Sequence, residues 1–99
     1  MFFGREEINT GLAACRSTPG AVLLDVREAD EYQSGHIPGA VNLPLSRIGQ
    51  VKLQKDTPIF VYCLRGTRSR RAAGELARLG YTKVRSIGGI TRYKGELER

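Results

Sequence analysis

Residues 58–68 read Pro58-Ile59-Phe60-Val61-Tyr62-Cys63-Leu64-Arg65-Gly66-Thr67-Arg68. The first five form an apolar run with β-branched and aromatic side chains, which is typical of a strand buried on both faces. Residues 69–79 repeat alanines and leucines at helical spacing, which predicts a helix whose apolar face, turned towards the sheet, consists of Ala72, Ala73, Leu76, Ala77 and Leu79. Cys63 is therefore expected at the carboxyl end of a strand, with a helix starting directly behind the loop that follows it.

The first turn of the predicted helix offers N–H groups that have no partners within the helix, and the helix dipole favours negative charge there. Arg65 and Arg68 add positive charge to the same loop. A thiol in such surroundings ionises more readily than a free cysteine. The sequence thus predicts an anion site with Cys63 as the nucleophile at its base.

The rest of the chain alternates helices and strands. A predicted helix over residues 5–17 has Ile8, Leu12 and Cys15 spaced for one buried face. The other predicted elements are strands over 21–24, 40–43 and 84–87, helices over 29–34 and 90–97, and a helical turn over 44–48. This alternation predicts an α/β fold with a central, mostly parallel sheet of four to five short strands and helices on both faces. Ligands of such sheets lie beyond the carboxyl ends of the strands, which is where Cys63 is expected.

Length and composition indicate an ordinary globular protein. The 99 residues suffice for one hydrophobic core, so we expect a single domain over residues 1–99. Hydrophobic residues make up 40% of the chain and charged residues 26%, as in soluble proteins. No apolar stretch approaches the ~20 residues that cross a membrane. The first residues lack the layout of a secretory signal, which favours a cytoplasmic location.

The chain carries a formal net charge of +6. Its positive residues are spread from Arg5 to Arg99, without an aromatic platform or a nucleic-acid-binding motif, which argues against nucleic acid as a partner. A small anionic substrate or an acidic protein partner explains the charge equally well.

The two cysteines do not form a recognisable metal or disulfide pattern. Cys15 and Cys63 stand 48 positions apart, and with one histidine in the chain they match no familiar zinc site. We therefore expect neither a metal nor a cofactor. Cys15 lies on the buried face of its predicted helix, and we interpret it as core packing rather than as a resolving thiol.

Three motifs follow one another in the chain. The first is Asp25-Val26-Arg27-Glu28, followed by Glu31-Tyr32 and Gly35-His36-Ile37-Pro38-Gly39-Ala40; the second is the loop over residues 63–69; the third is Gly88-Gly89 with Tyr93. Together they resemble the rhodanese domain family over residues 21–93. Tyr93 stands where this family usually carries tryptophan. The resemblance implies a rhodanese-like three-layer fold built around the predicted sheet.

The resemblance also implies a reaction, the transfer of sulfane sulfur. The Cys63 thiolate would take sulfur from thiosulfate or a similar donor, become a persulfide, and pass the outer sulfur to cyanide or a thiol. The residues implied in substrate binding are Leu64, Arg65, Gly66, Thr67, Arg68 and Ser69. Backbone N–H groups of this loop would hold the anionic sulfur, and Gly66 would allow the tight curl.

Side chains near Cys63 have expected roles as well. Arg65 and Arg68 would orient an anionic donor and stabilise the leaving sulfite, and Ser69 would cap the helix. Asp25 and Arg27 are expected as a supporting ion pair at a strand end that braces neighbouring loops; a part in shaping the pocket is the alternative.

The remaining polar residues considered are His36 and two arginines outside the loop. His36 is the one candidate for a Cys–His dyad, although the resemblance places it in a structural turn. Arg70 and Arg71 are expected on the surface.

Other functions remain open on the sequence alone. A cysteine phosphatase or an arsenate reductase is one alternative. Cell-cycle dual-specificity phosphatases share the rhodanese architecture and have five residues between the cysteine and the arginine of their loop, whereas four separate Cys63 from Arg68. A non-catalytic binding module and a relay that hands persulfide sulfur to a partner protein are further readings. The basic loop favours thiosulfate over mercaptopyruvate as the donor.

Overall fold

The computed structural model describes residues 7–99, and a four-stranded sheet forms its centre. The strands are β1 (Val22–Asp25), β2 (Val41–Asn42), β3 (Ile59–Cys63) and β4 (Val84–Gly89). All neighbouring pairs are parallel, in the order β2-β1-β3-β4. The helices are α1 (Ile8–Arg16), α2 (Ala29–Ser34) and α3 (Thr67–Arg78), with short 3-10 helices over Leu45–Gln50 and Ile90–Arg92. The predicted α/β fold is confirmed, with four strands.

Alternating side chains of β3 divide the interior into two cores. Phe60 and Tyr62 pack in the core that contains the buried residues of α1. Val61 and Cys63 pack in the other core, which contains the buried residues of α3. Because β3 lies between β1 and β4 and is covered on both faces, all five of its residues are buried. The helices therefore lie on both faces of the sheet, and Cys63 points to the α3 side.

The helix α3 begins two residues earlier than the predicted range, at Thr67, with Gly66 as its N-cap. Its buried stripe is narrow and consists of Ser69, Ala72 and Leu76. The prediction that Ala77 and Leu79 share the buried face is wrong, because both are exposed. Small residues in the stripe let α3 lie close to the sheet.

The start of α1 also differs from the predicted range. The side chain of Glu7 accepts hydrogen bonds from the N–H groups of Asn9 and Thr10 and thereby caps a helix that begins at Ile8. Arg5 and Glu6, which the prediction included in this helix, lie outside the described residues. The helix ends at Arg16 rather than at residue 17.

The predicted helix over residues 90–97 is wrong beyond its first turn. The side chain of Asn9 accepts from the N–H of Lys94 and donates to the carbonyl of Arg92, which ends the turn there. Further along, Glu98 forms an antiparallel bridge with His36 through two 2.8 Å hydrogen bonds. Both contacts reach far back in the sequence, and residues 93–99 contain no helix.

The longest helix of the described part is α3, with 12 residues. Within residues 7–99, no helix has the length and apolar content that crossing a membrane requires.

Candidate active site

Cys63 ends the central strand and is 1% exposed. Two backbone N–H groups donate to its sulfur: that of Gly66 at 2.9 Å and that of Ser69 at 3.4 Å. Both belong to the loop and first turn of α3, where N–H groups have no acceptor within the helix. Their dipoles point at Sγ and stabilise negative charge on it.

The position of Gly66 depends on its lack of a side chain. Its φ of 103° lies in the left-handed region, which a residue with a Cβ adopts only with strain. In this conformation its N–H points to Cys63, while its carbonyl accepts from the N–H of Arg70 at 3.1 Å. The predicted function of Gly66, to curl the loop, agrees with this geometry.

Ser69 is the third residue of α3, so the prediction that it caps the helix is wrong. Its side chain is fully buried, and its hydroxyl donates to the carbonyl of Gly66 at 3.0 Å. The hydroxyl of Ser86, on β4, lies 2.9 Å from it, and Sγ of Cys63 lies 3.6 Å from it. Ser69 thus ties the loop to β4. Ser86 was not predicted, because its sequence position carries no signal of this contact.

The third motif supports the loop from the side of β4. Gly89 pairs with Cys63 across a register shift, and a Cβ on Gly89 would collide with the backbone of Leu64 and Arg65. The N–H of Thr91 donates to the carbonyl of Leu64 at 3.3 Å. Only glycine at position 89 therefore lets the loop pass this close to β4.

Arg68 forms a bidentate ion pair with Glu31 of α2. Its Nη1 and Nη2 atoms lie 2.7 and 3.0 Å from the two carboxylate oxygens. The hydrogen bond from Arg68 is the main reason that the pKa of Glu31 falls to about 2. The same bond raises the pKa of Arg68 above its ordinary value. Glu31 belongs to the first motif, but its pairing with a residue 37 positions away was not predicted.

Other residues of the predicted loop are more open to solvent. Arg65 and Thr67 are exposed, and Leu64 is half-buried. Arg70 and Arg71 are exposed as predicted. No salt bridge within residues 7–99 involves Arg65, Arg70 or Arg71.

The expected ion pair between Asp25 and Arg27 is present and buried, with 2.7 Å between Nη2 and Oδ2. Burial opposes the charge on Arg27, but the hydrogen bond with Asp25 raises its pKa above the ordinary value. Nη2 also donates to the carbonyl of Gly35, and the side chain of Asn42 donates to the carbonyls of both members of the pair. The pair therefore connects the ends of β1 and β2 with the turn after α2.

His36 belongs to that turn. Its ring stacks on Tyr32 with 3.8 Å between ring centroids, and Nδ1 lies 3.0 Å from the carbonyl of Tyr32. Nε2 lies 3.8 Å from the carboxylate of Glu98. Both ring nitrogens thus face partners other than Cys63, so the geometry does not support a Cys–His dyad.

The second cysteine, Cys15, is buried in the α1 core, on the opposite side of the sheet from Cys63. Both thiols are free, and burial raises the pKa of Cys15. The sheet separates the two sulfurs, which leaves Cys15 as a packing residue. Among residues 7–99, no three or more His, Cys, Asp or Glu side chains are grouped to hold a metal ion.

Residues 9–96 match the family described as "Rhodanese-like domain". The chain is 41% identical over 81 residues to the "Uncharacterized protein YqhL" of Bacillus subtilis; the match covers 79% of this chain and 64% of that protein. It is 35% identical over 79 residues to the "Putative sulfur carrier protein YrkF" of the same organism, covering 77% of this chain and 43% of the relative. The "Thiosulfate sulfurtransferase PspE" of Escherichia coli is 38% identical over 71 residues, or 68% of each chain. The chain thus spans less than two thirds of the first two of these relatives.

Solved structures match the fold as well. A structure described as "rhodanese with anions from E. coli" has a TM-score of 0.72 and 30% identity, covering 80% of this chain and 98% of that one. The human single-domain sulfurtransferase TSTD1 has a TM-score of 0.78 and 25% identity, covering 91% and 96%.

Proposed function

The chain belongs to the rhodanese-like domain family, and we propose on that basis that it is a sulfurtransferase with Cys63 as its sulfur carrier. The observation that carries the proposal is the pair of N–H donors from Gly66 and Ser69 on Sγ of Cys63. A nucleophile held in an anion-stabilising cradle at the carboxyl end of a parallel strand is what attack on a sulfane donor requires.

The reaction has two steps. The Cys63 thiolate attacks the outer sulfur of thiosulfate; the S–S bond of the persulfide forms, and the bond from that sulfur to the sulfonate breaks. Sulfite leaves with the electron pair, and the persulfide keeps the negative charge of the thiolate. Cyanide or a thiolate then attacks the outer sulfur and returns Cys63 to its thiolate form.

The loop residues have different roles in this reaction. The N–H groups of Gly66 and Ser69 stabilise the charge on sulfur, and the exposed side chain of Arg65 attracts the donor. Leu64 and Thr67 border the approach to Cys63. Asp25 and Arg27 have a supporting role at the neighbouring strand end.

Phosphoryl transfer is the less favoured reading for two reasons. The loop has four residues between Cys63 and Arg68, a shorter cradle than the phosphatase pattern with five. In addition, both terminal nitrogens of Arg68 engage Glu31, so this guanidinium does not present its fork to a phosphoryl group.

Two assays on one preparation test the proposal. We expect thiocyanate from thiosulfate and cyanide, no detectable hydrolysis of para-nitrophenyl phosphate, and loss of thiocyanate formation in Cys63→Ser. Phosphate release that depends on Cys63, in the absence of sulfur transfer, would reverse the assignment.

A relay to a partner protein is a second candidate, which the name of the sulfur carrier relative favours. Cys63 is 1% exposed, so only a thiol on a narrow, protruding part of the acceptor reaches its sulfur. The net charge of +6 favours an acidic partner. A relay would form the persulfide stoichiometrically but turn over slowly with cyanide; a binding module would form none.

We place the activity in the cytoplasm, whether it is transfer to a small acceptor or relay to a partner protein, because thiols stay reduced there.

A further inference from the structure

Glu31 is the one carboxylate within residues 7–99 that forms a salt bridge with the loop over residues 63–69. Its Oε1 accepts from Nη1 of Arg68 at 2.7 Å and from the N–H of Glu28 at 2.9 Å, and its Oε2 accepts from Nη2 of Arg68 at 3.0 Å. The side chains of Glu31 and Arg68 are 30% and 31% exposed, so solvent screens the pair only partly. The ion pair thus stands at the edge of the site without contact to Cys63.

This contact changes what Arg68 offers to an anion. Each terminal nitrogen of Arg68 directs one N–H at the Glu31 carboxylate. The pair of parallel N–H groups with which a guanidinium binds a carboxylate or a sulfonate is therefore already occupied. Glu31 stays ionised at neutral pH, because its pKa lies at about 2. Within the loop, Arg65 alone then presents a guanidinium without a carboxylate partner among the described residues.

We propose that Glu31 is a positioning residue that limits the affinity of the site for dianions by holding Arg68. The inference rests on the proposed function, because thiosulfate is a dianion and sulfite leaves the sulfur as a dianion. If both guanidiniums were unengaged beside the helix N-terminus, the site would bind the donor and the product more tightly by the same amount. Such uniform binding slows product release and does not stabilise the transition state. Glu31 thereby favours the release of sulfite and reduces competition from inorganic dianions such as sulfate.

The first experiment uses sulfate as an inert dianion and needs no turnover. Sulfate bound beside Cys63 should slow its alkylation by iodoacetamide, and mass spectrometry of the Cys63 peptide measures the extent of alkylation at each sulfate concentration. In Glu31→Gln the concentration for half-protection should fall about 5-fold, since a partner charge is removed at short range. Glu31→Ala must change it in the same direction, even if glutamine keeps one hydrogen bond to Arg68.

Two controls separate the ion pair from general charge. Glu28→Gln removes the neighbouring carboxylate, which has no hydrogen bond to Arg68, and should change half-protection less than about 2-fold. When Arg68 is already replaced by glutamine, Glu31→Gln should change the sulfate concentration for half-protection no more than Glu28→Gln does. Equal effects of the two glutamate variants, or an undiminished effect without Arg68, would overturn the proposal.

Steady-state kinetics supply the functional measurement. Glu31→Gln should lower KM for thiosulfate more than KM for an aryl thiosulfonate, which carries one negative charge, and should strengthen inhibition by sulfite. Equal changes for both donors would contradict the role of Glu31. If the wild-type protein transfers no sulfur, the proposed function fails, whereas sulfate protection still decides whether Glu31 limits dianion binding.

Discussion

The N–H of Gly66 lies 2.9 Å from Sγ of Cys63, three residues earlier in the chain. The contact comes from the backbone, and it exists because Gly66 adopts a left-handed conformation before α3 begins. The sulfur site therefore depends on the course of the loop as much as on any side chain. Changes that displace the loop should abolish activity even where they leave every charged residue in place.

Gly89→Ala tests the packing of the loop. A Cβ at this position meets the backbone of Leu64 and Arg65, so the loop must move away from β4. We expect a loss of about 1–3 kcal/mol in the free energy of unfolding and a loss of most thiocyanate formation. Urea denaturation and the thiosulfate–cyanide assay measure the two effects.

The matched control is Gly74→Ala, in the middle of α3, where nothing lies within 4 Å of the new Cβ. Because alanine has the higher helix propensity, this variant should gain up to about 1 kcal/mol and keep its activity. Full activity in Gly89→Ala would show that the close approach of β4 does not position the loop.

Arg65→Gln tests which arginine captures the donor. Arg65 is exposed and Arg68 is paired with Glu31, so we expect KM for thiosulfate to rise about 5–10-fold with a smaller change in kcat. Added salt should reduce the difference from wild type, because it screens exposed charges. Arg71→Gln, on the exposed side of α3, is the control and should leave KM nearly unchanged. A KM equal to that of wild type in Arg65→Gln would assign donor capture elsewhere.

Substitution of each cysteine separates the reactive thiol from the packed one. Cys15 lies in the α1 core, across the sheet from Cys63, so Cys15→Ala should keep the rate while lowering the denaturation midpoint slightly. Cys63→Ser should remain folded and form no thiocyanate. A large loss of rate in Cys15→Ala would mean that this thiol takes part in the reaction.

Acid titration tests the ion pair between Glu31 and Arg68. The pKa of Glu31 falls from 4.5 to about 2 in the folded protein, so the folded state binds its proton less readily than the unfolded state. The stabilisation is complete well above pH 4.5 and disappears as the pH falls towards 2. After screening by solvent we expect wild type to exceed Glu31→Gln by about 1 kcal/mol at pH 7 and by little near pH 2. A difference independent of pH would contradict the shifted pKa.

Local patterns were enough to predict the order of the elements and the place of Cys63. The apolar run before Cys63 and the helical spacing after it depend on neighbours in the sequence, and both appear in β3 and α3. The helix cap was assigned to Ser69 because hydroxyl side chains favour that position, but the left-handed Gly66 occupies it.

Contacts between distant residues were beyond the reach of sequence patterns. The sequence predicted a helix over residues 90–97. The hydrogen bonds of the Asn9 side chain with the backbone of Arg92 and Lys94 end that helix after its first turn. The pairing of Arg68 with Glu31 likewise joins two helices whose separation only the folded sheet determines.

The most direct test of the account is mass spectrometry of the protein after treatment with thiosulfate. The account predicts a gain of roughly 32 Da, one sulfur atom, on the Cys63 peptide, and its removal by cyanide. An unchanged mass at Cys63, or a gain on the Cys15 peptide instead, would contradict the claim that Cys63 carries the sulfur.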